Sequence, residues 1–384
     1  MATPTNLTLM FHFPAKSYNP WSFQNPRISQ THKLHFLHCH SSENISLSVK
    51  EDSFTVSYLK NTFGFASEHA LSASKYVQFK SPEQPDSVIN CLKTYGFSQA
   101  DISKLVKRDP RILGYNLERI ISKLEFLISN GASSRDAVAV VASNPNILPR
   151  SLENHVIPVY NFIKDVVHSD EKVIAFLKKG RNRPFSHVTD SDIPVSINFL
   201  RDNGVPEANI AYLLLWFPEV LGYSGRVKQA VEGLKEMGFN PSKKNFVRAM
   251  IVKTALSESK WREKIDVYKS WGLTDEEIFV MFKKCPRCLG CSEEKISAVM
   301  DFFVNKLGWG LSVISKYPVL FGLSLEKRII PRDSVIQFLL SRGLIEKKSY
   351  TPLVFKLTEE VFLDKYVNCF ECADDLLKLY WKEG

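Results

Sequence analysis

No stretch of this 384-residue chain holds about 18 consecutive apolar residues, so it offers no candidate membrane span. The longest apolar run, Ile210 to Phe217, is far shorter and sits inside an amphipathic pattern. Cysteine is sparse: seven scattered residues, an odd number without a secretory signal, argue against a disulfide framework. Beyond residue 40 histidine is reduced to His69, His155, His168 and His187, none in a paired metal-binding spacing. There is no glycine-rich loop ending in Lys-Ser/Thr and no nucleophile elbow. Catalysis is therefore not expected, and neither is a cofactor or a metal.

Acid is missing from residues 1–42, where the first carboxylate is still to come at Glu43. The same stretch carries Lys16, Arg27, Lys33, five His and many hydroxyl residues, a composition that predicts an organellar transit peptide. Its expected extent is residues 1–45, without a fold of its own, and the expected destination is the mitochondrion, with the chloroplast as alternative. The formal net charge is +9. With those three basic residues set aside the chain is only mildly basic, so an anion-binding face requires local clustering.

What the sequence does have is a period. Gly64, Gly96, Gly131, Gly204, Gly238, Gly272, Gly308 and Gly343 are separated by 32, 35, 73, 34, 34, 36 and 35 residues. The gap of 73 is two periods, so one slot near Val167–His168 has lost its glycine. An apolar or small residue follows each glycine, among them Phe97, Val205, Phe239 and Leu273, as a left-handed helix end with a back-packing neighbour requires. Helix starters come next: Ser98 with Asp101, Ser133 with Asp136, Thr274 with Glu277.

Proline is the second marker, lying 14 residues after the glycine at Pro110, Pro145, Pro218 and Pro286, and 10 after it at Pro318. Proline inside a helix costs about 3 kcal/mol, so a repeated proline marks a helix end. Apolar pairs recur around it, such as Leu105/Val106 before and Ile112/Leu113 after Pro110. A second amphipathic helix then runs to the next glycine. No such unit can bury its apolar stripe alone, so the units must stack. The fold expected is all-α, a superhelical solenoid of about eight degenerate repeats of ~35 residues. It should fill residues 46–384, with an irregular N-terminal repeat over 52–96, central repeats over 97–343 and a C-terminal cap over 344–384.

The unit of glycine, apolar residue, Ser/Thr, proline and Ile-Leu-Gly resembles the mitochondrial transcription termination factor (mTERF) family, in its plant branch. The residues that carry the likeness are Gly96-Phe-Ser, Asp109-Pro-Arg-Ile-Leu-Gly114, Cys285-Pro-Arg-Cys-Leu-Gly290 and Leu357-Thr-Glu-Glu-Val-Phe-Leu363. The resemblance implies an organellar protein that lays a basic concave face along double-stranded DNA, or along RNA in some members. The roles it implies are transcription termination, initiation, intron splicing or ribosome assembly. The repeats from Val167 to Gly204 and from Gly238 to Gly272 depart from the pattern by lacking the proline at the expected place.

Basic residues concentrate beside the proline turns and in the two irregular repeats. The nucleic-acid contacts expected are Lys107, Arg108, Arg111, Lys178, Lys179, Arg181, Arg183, Lys243, Lys244, Arg248, Lys283, Lys284, Arg287, Lys327, Arg328 and Arg332. One such edge on every repeat would form a stripe spaced to follow phosphates. Arg111, Arg183 and Arg287 are the candidates for reading bases, and Tyr115, Trp216, Tyr223 and Tyr317 for stacking, although aromatics at this spacing commonly belong to a core. Cys285, Cys288 and Cys291 have a metal-like spacing, but Cys288 falls where other repeats place Ile, Val or Leu, so it reads as core.

The reading is of a monomeric, non-enzymatic regulator of organellar gene expression that binds double-stranded DNA. An RNA-binding splicing or processing factor and a protein-interaction scaffold are the alternatives.

Overall fold

The computed structural model describes residues 53–180 and 192–382, and every regular element among them is helical. The expected transit peptide, together with Arg181 and Arg183, lies outside the described residues. The chain enters through α1 (Phe54–Phe63), α2 (Ser67–Ala73) and α3 (Glu83–Thr94). Then α4 (Gln99–Arg108) and α5 (Leu117–Ser129) flank the turn Pro110–Gly114, and α6 (Ser134–Ser143) and α7 (Ile157–Val167) flank Pro145–Ile147. The first repeat without a proline in the turn position supplies α8 (Asp170–Lys179) and α9 (Ile193–Asp202). Next, α10 (Glu207–Trp216) and α11 (Ser224–Glu236) flank Pro218–Leu221. In the second repeat without a proline in the turn position α12 (Lys244–Ala255) passes through extended Leu256 and Ser257 directly into α13 (Glu258–Ser270). Finally α14 (Asp275–Lys284) and α15 (Glu293–Asp301) flank Pro286–Cys288, α16 (Leu311–Lys316) and α17 (Ile330–Ser341) flank Pro318–Gly322, and α18 (Glu359–Leu363) and α19 (Ala373–Lys382) close the array.

The sequence markers do what their chemistry requires. All eight periodic glycines have positive φ, between 65° and 94°. The apolar residue after the glycine donates its N–H five residues back at six of the eight corners, as in Phe97 to Leu92 O at 3.1 Å and Phe239 to Leu234 O at 2.9 Å, and six back for Phe65 and Trp309. The slot that lost its glycine is filled by His168, whose φ of 53° is the one positive value at a non-glycine among the described residues. Ser98–Asp101, Ser133–Asp136 and Thr274–Glu277 form reciprocal capping boxes. Each proline stands first in its turn, where no N–H is needed. The apolar pairs after it, from Ile112/Leu113 to Leu320/Phe321, are almost wholly buried.

Stacking follows. The first helices of successive units pack on one another, α4 on α6, α6 on α8, α12 on α14 and α14 on α16. One buried apolar cluster runs from Val56 to Ile329 and takes in Phe355, and a second, around Val335, Phe362 and Tyr380, belongs to the C-terminal elements.

A short turn leaves carbonyls without helical partners, and burying them bare would cost about 1–3 kcal/mol each. The preceding repeat supplies the donors. Gln84 Nε2 reaches Gly114 O at 3.2 Å, and the Ser196 hydroxyl reaches Leu221 O at 2.7 Å. Tyr268 donates to Cys288 O at 3.0 Å, while the neighbouring Lys264 ammonium donates to Cys291 O. Cys291 Sγ in turn donates to Phe321 O at 3.0 Å.

The C-terminal segment departs from its expected form as a plain cap. It holds a further proline turn, Pro352–Lys356, only nine residues after Gly343. The spacing hides it because a three-residue turn, Lys347–Ser349, stands where the other units have a first helix.

Candidate nucleic-acid interface

The expected basic contacts fall into three groups once their surroundings are visible. The first is already engaged by carboxylates or aromatics. Asp109 caps its proline turn by accepting from the Arg111 amide at 3.2 Å, and it also takes the Arg111 guanidinium through Nε at 2.8 Å and Nη2 at 2.9 Å. This pair raises the guanidinium pKa further, and Tyr115 donates to the same carboxylate at 3.4 Å. Burial, helped by Asp109, pushes the Tyr115 hydroxyl up to about 12. Lys178 is ion-paired with Asp136, whose carboxyl is held at about 2 by that ammonium and by the Ser133 hydroxyl. The Lys179 ammonium lies 3.4 Å above the centre of the Trp216 ring. Lys107 and Arg108, in the last turn of α4, stand outside this engaged group and are exposed.

The second group is withdrawn from the surface, which corrects the expectation for two residues. Arg332 is only 1 % exposed. Its guanidinium donates to the carbonyls of Val354 at 3.1 Å, Phe355 at 3.3 Å, Leu357 at 2.8 Å and Thr358 at 3.4 Å, and lies 4.6 Å from the Phe362 ring. Burial, and then Arg328 beside it, pushes its pKa down. Arg328 is half-buried and donates to Phe355 O at 3.0 Å and to Leu357 O. These two arginines satisfy the carbonyls of the Pro352 turn, so they are structural. Lys327 alone of that trio stays exposed.

The third group is brought together and left open. Lys243 and Lys244 begin α12, whose first turn has no acid. Cations at that end oppose the helix dipole, so the local positive potential is uncompensated. Asn245 Nδ2 donates to Lys283 O at 2.6 Å, which fastens the start of α12 to the end of α14. A Cβ placed on Gly238 would stand 3.1 Å from the Lys283 ammonium, so that side chain lies along the glycine corner of the previous unit. Arg287 reaches the other way: a Cβ on Gly322 would be 3.3 Å from its Cδ. Arg248 and Arg287 both lie near the Cys285 thiol, whose pKa burial raises against their pull. Lys243, Lys244, Arg248, Lys283, Lys284 and Arg287 are all exposed, and none forms an ion pair among the described residues.

Cys288 is fully buried in the core, as its register with Ile, Val and Leu indicated. Among the described residues no group of three or more His, Cys, Asp or Glu is arranged to hold a metal, and no helix is long and apolar enough to cross a membrane. Of the candidate stacking residues, Tyr115 and Tyr317 are half-buried, whereas Trp216 and Tyr223 are about half exposed. Arg226, which the clustering of basic residues did not single out, places its guanidinium 5.6 Å from the Tyr223 ring. The three-residue spacing of Tyr223 and Arg226 across the start of α11 is the signal that could have found it.

The mTERF family profile matches this chain over residues 89–255 and again over 185–363. The mitochondrial transcription termination factor MTERF15 of Arabidopsis thaliana is 23% identical over 322 residues, covering 66% of this chain and 72% of that protein. The chloroplastic transcription termination factor MTERF8 is 25% identical over 240 residues, covering 62% of this chain and 40% of its own length. The mitochondrial transcription termination factor MTEF18 is 20% identical over 276 residues, 70% of this chain and 46% of that protein. Both of these are also from Arabidopsis thaliana, and the chain spans less than half of each.

Proposed function

The chain belongs to the mTERF family, and from that premise we propose that it regulates organellar gene expression by binding double-stranded DNA through its basic repeat edge. The observation that carries this reading is the group of six exposed, ion-pair-free cations where α12 meets α14 and the Pro286 turn. Phosphates attract such a group because each neutralised phosphate releases counterions. Lys107, Arg108 and Lys327 extend the track toward either end. Arg111 and Lys178 join it only by exchanging a carboxylate for a phosphate, so they contribute less. The relatives named above are transcription termination factors of mitochondria and chloroplasts, which supports an organellar regulator and a role through binding rather than catalysis. For this chain we favour transcription termination in the mitochondrion. A fluorescent fusion to residues 1–45 tests the destination, and accumulation in the chloroplast or cytosol would overturn that part.

Binding of the full chain to duplex DNA from 50 to 200 mM salt tests the central claim. Six or more neutralised phosphates give a loss of about 10³-fold or more over that range. Replacing Arg248 and Arg287 by Gln should flatten the salt slope by about two. Weak binding with a shallow slope, unmoved by the double substitution, would overturn the proposal. Tighter binding to RNA than to duplex DNA would replace termination with RNA processing.

A further inference from the structure

Unit four, built from α10, the Pro218 turn and α11, differs from the units whose proline turn is flanked by cations. Two residues before the turn proline three of the other units place Arg108, Lys284 and Lys316 and two place Ser143 and Tyr350, but this one places Trp216, which is half exposed. One residue after it, where two units have Arg111 and Arg287 and the others Asn146, Val319 and Leu353, comes Glu219. At this turn a phosphate meets an exposed carboxylate instead of a guanidinium. What the unit offers instead is aromatic surface: Tyr212 is 42% exposed, Trp216 50% and Tyr223 48%. Tyr212 is supported by Phe217, their ring centres 5.6 Å apart.

Cations frame this surface rather than occupy its register. Lys179, at the end of α8 in the preceding unit, covers one face of the Trp216 indole at 3.4 Å, and Arg226 lies beside Tyr223. A flat aromatic ring with a cation against it fits a ligand that is both planar and anionic. In a duplex the base faces are closed by stacking, and only an unpaired base can lie on an indole. Leaving three large aromatics in water around one turn is unfavourable for the isolated chain, which marks the patch as a contact surface.

We propose that unit four binds an unpaired nucleobase of single-stranded nucleic acid, stacked on the exposed part of Trp216, with Lys179 and Arg226 holding the adjoining phosphates. This rests on the nucleic-acid reading above but uses different residues from the phosphate track. The ligand it implies combines a duplex or structured segment with an unpaired stretch beside it.

The test compares the full-length chain with its Trp216→Leu and Trp216→Phe variants, using a short oligouridylate, its abasic counterpart and duplex DNA as probes. Trp216→Leu should weaken oligouridylate binding about 10-fold or more, and Trp216→Phe should keep most of the affinity. The abasic strand should bind all three proteins equally, and duplex affinity should not move. Unchanged oligouridylate binding in Trp216→Leu, or an equal loss on the abasic strand, would overturn stacking while leaving the phosphate track standing. A wild-type chain that binds neither duplex nor oligouridylate would end both proposals.

Discussion

The Ser196 hydroxyl donates to the carbonyl of Leu221 at 2.7 Å, from one repeat to the proline turn of the next. Both partners are fully buried. Ser196→Ala leaves that carbonyl without its donor, and the expected loss is about 1–3 kcal/mol. Urea denaturation of the two proteins checks it. A loss within a few tenths of a kcal/mol would show that the turn does not depend on the preceding helix.

His168 holds a left-handed backbone that an ordinary side chain adopts only at a cost of about 1–2 kcal/mol. Its amide still makes the helix-end bond to Lys164 O at 2.7 Å, so the geometry survives the lost glycine. His168→Gly should therefore raise stability by up to about 1 kcal/mol, and His168→Val should lower it. Denaturation midpoints that rank the three residues otherwise would contradict the strain argument.

Lys123 is 1% exposed, and its ammonium donates to Arg119 O at 2.7 Å. Burial, and then the Arg119 charge, pushes its pKa down. The sign follows from that direction. Below its folded pKa the lysine is charged in both states and its burial is a liability. Its relative contribution improves as pH rises toward the ordinary lysine value of about 10.4 and is complete above it. Lys123→Met should accordingly stabilise the chain at pH 7, by about 1 kcal/mol or more, with an advantage that shrinks as pH approaches 10. Thermal melts of both proteins at the two pH values decide it; an advantage independent of pH would reject the titration argument.

Asp136 carries the opposite sign. Its carboxyl, held at about 2 by Lys178 and then Ser133, gives stability that is present above the ordinary carboxylate value. That stability is lost as pH falls through about 4 toward 2. Asp136→Asn should be less stable than wild type at pH 7, and the two should converge below pH 2. Parallel acid-denaturation curves would mean that the Lys178 pair contributes nothing.

Much of the architecture is legible in the sequence because the features that end helices are local. A glycine, the apolar residue after it and a capping Ser/Thr each act within a few residues, and their recurrence exposes the register, including the vacant slot at His168. The candidate site is less legible because charge is written locally but burial is not. Lys327, Arg328 and Arg332 look like one basic cluster, yet two of the three are claimed by carbonyls more than twenty residues further on. The Pro352 turn that supplies those carbonyls lies nine residues after its glycine rather than fourteen, so the period does not announce it. Arg111 and Asp109 pair across two positions, which the sequence displays but does not rank against a phosphate. The wide π-helical turns at Leu152–Val156 and Leu325–Ile329 share a local Ser-Leu-Glu-x-x-Val/Ile-Ile-Pro run ending at Pro158 and Pro331, which the spacing of glycines and turn prolines passes over.

The donors at the proline turns come from residues earlier in the chain than the carbonyls they serve, from Gln84 and Gly114 to Arg332 and Leu357. During synthesis each of these turns, as it emerges, meets a partner that has already left the ribosome. The array can be laid down vectorially, unit upon unit, with no turn waiting for residues not yet translated. The dependence is one-way. Cutting units from the C-terminal end strips away acceptors and leaves finished turns intact, whereas cutting from the N-terminal end orphans the next turn in line.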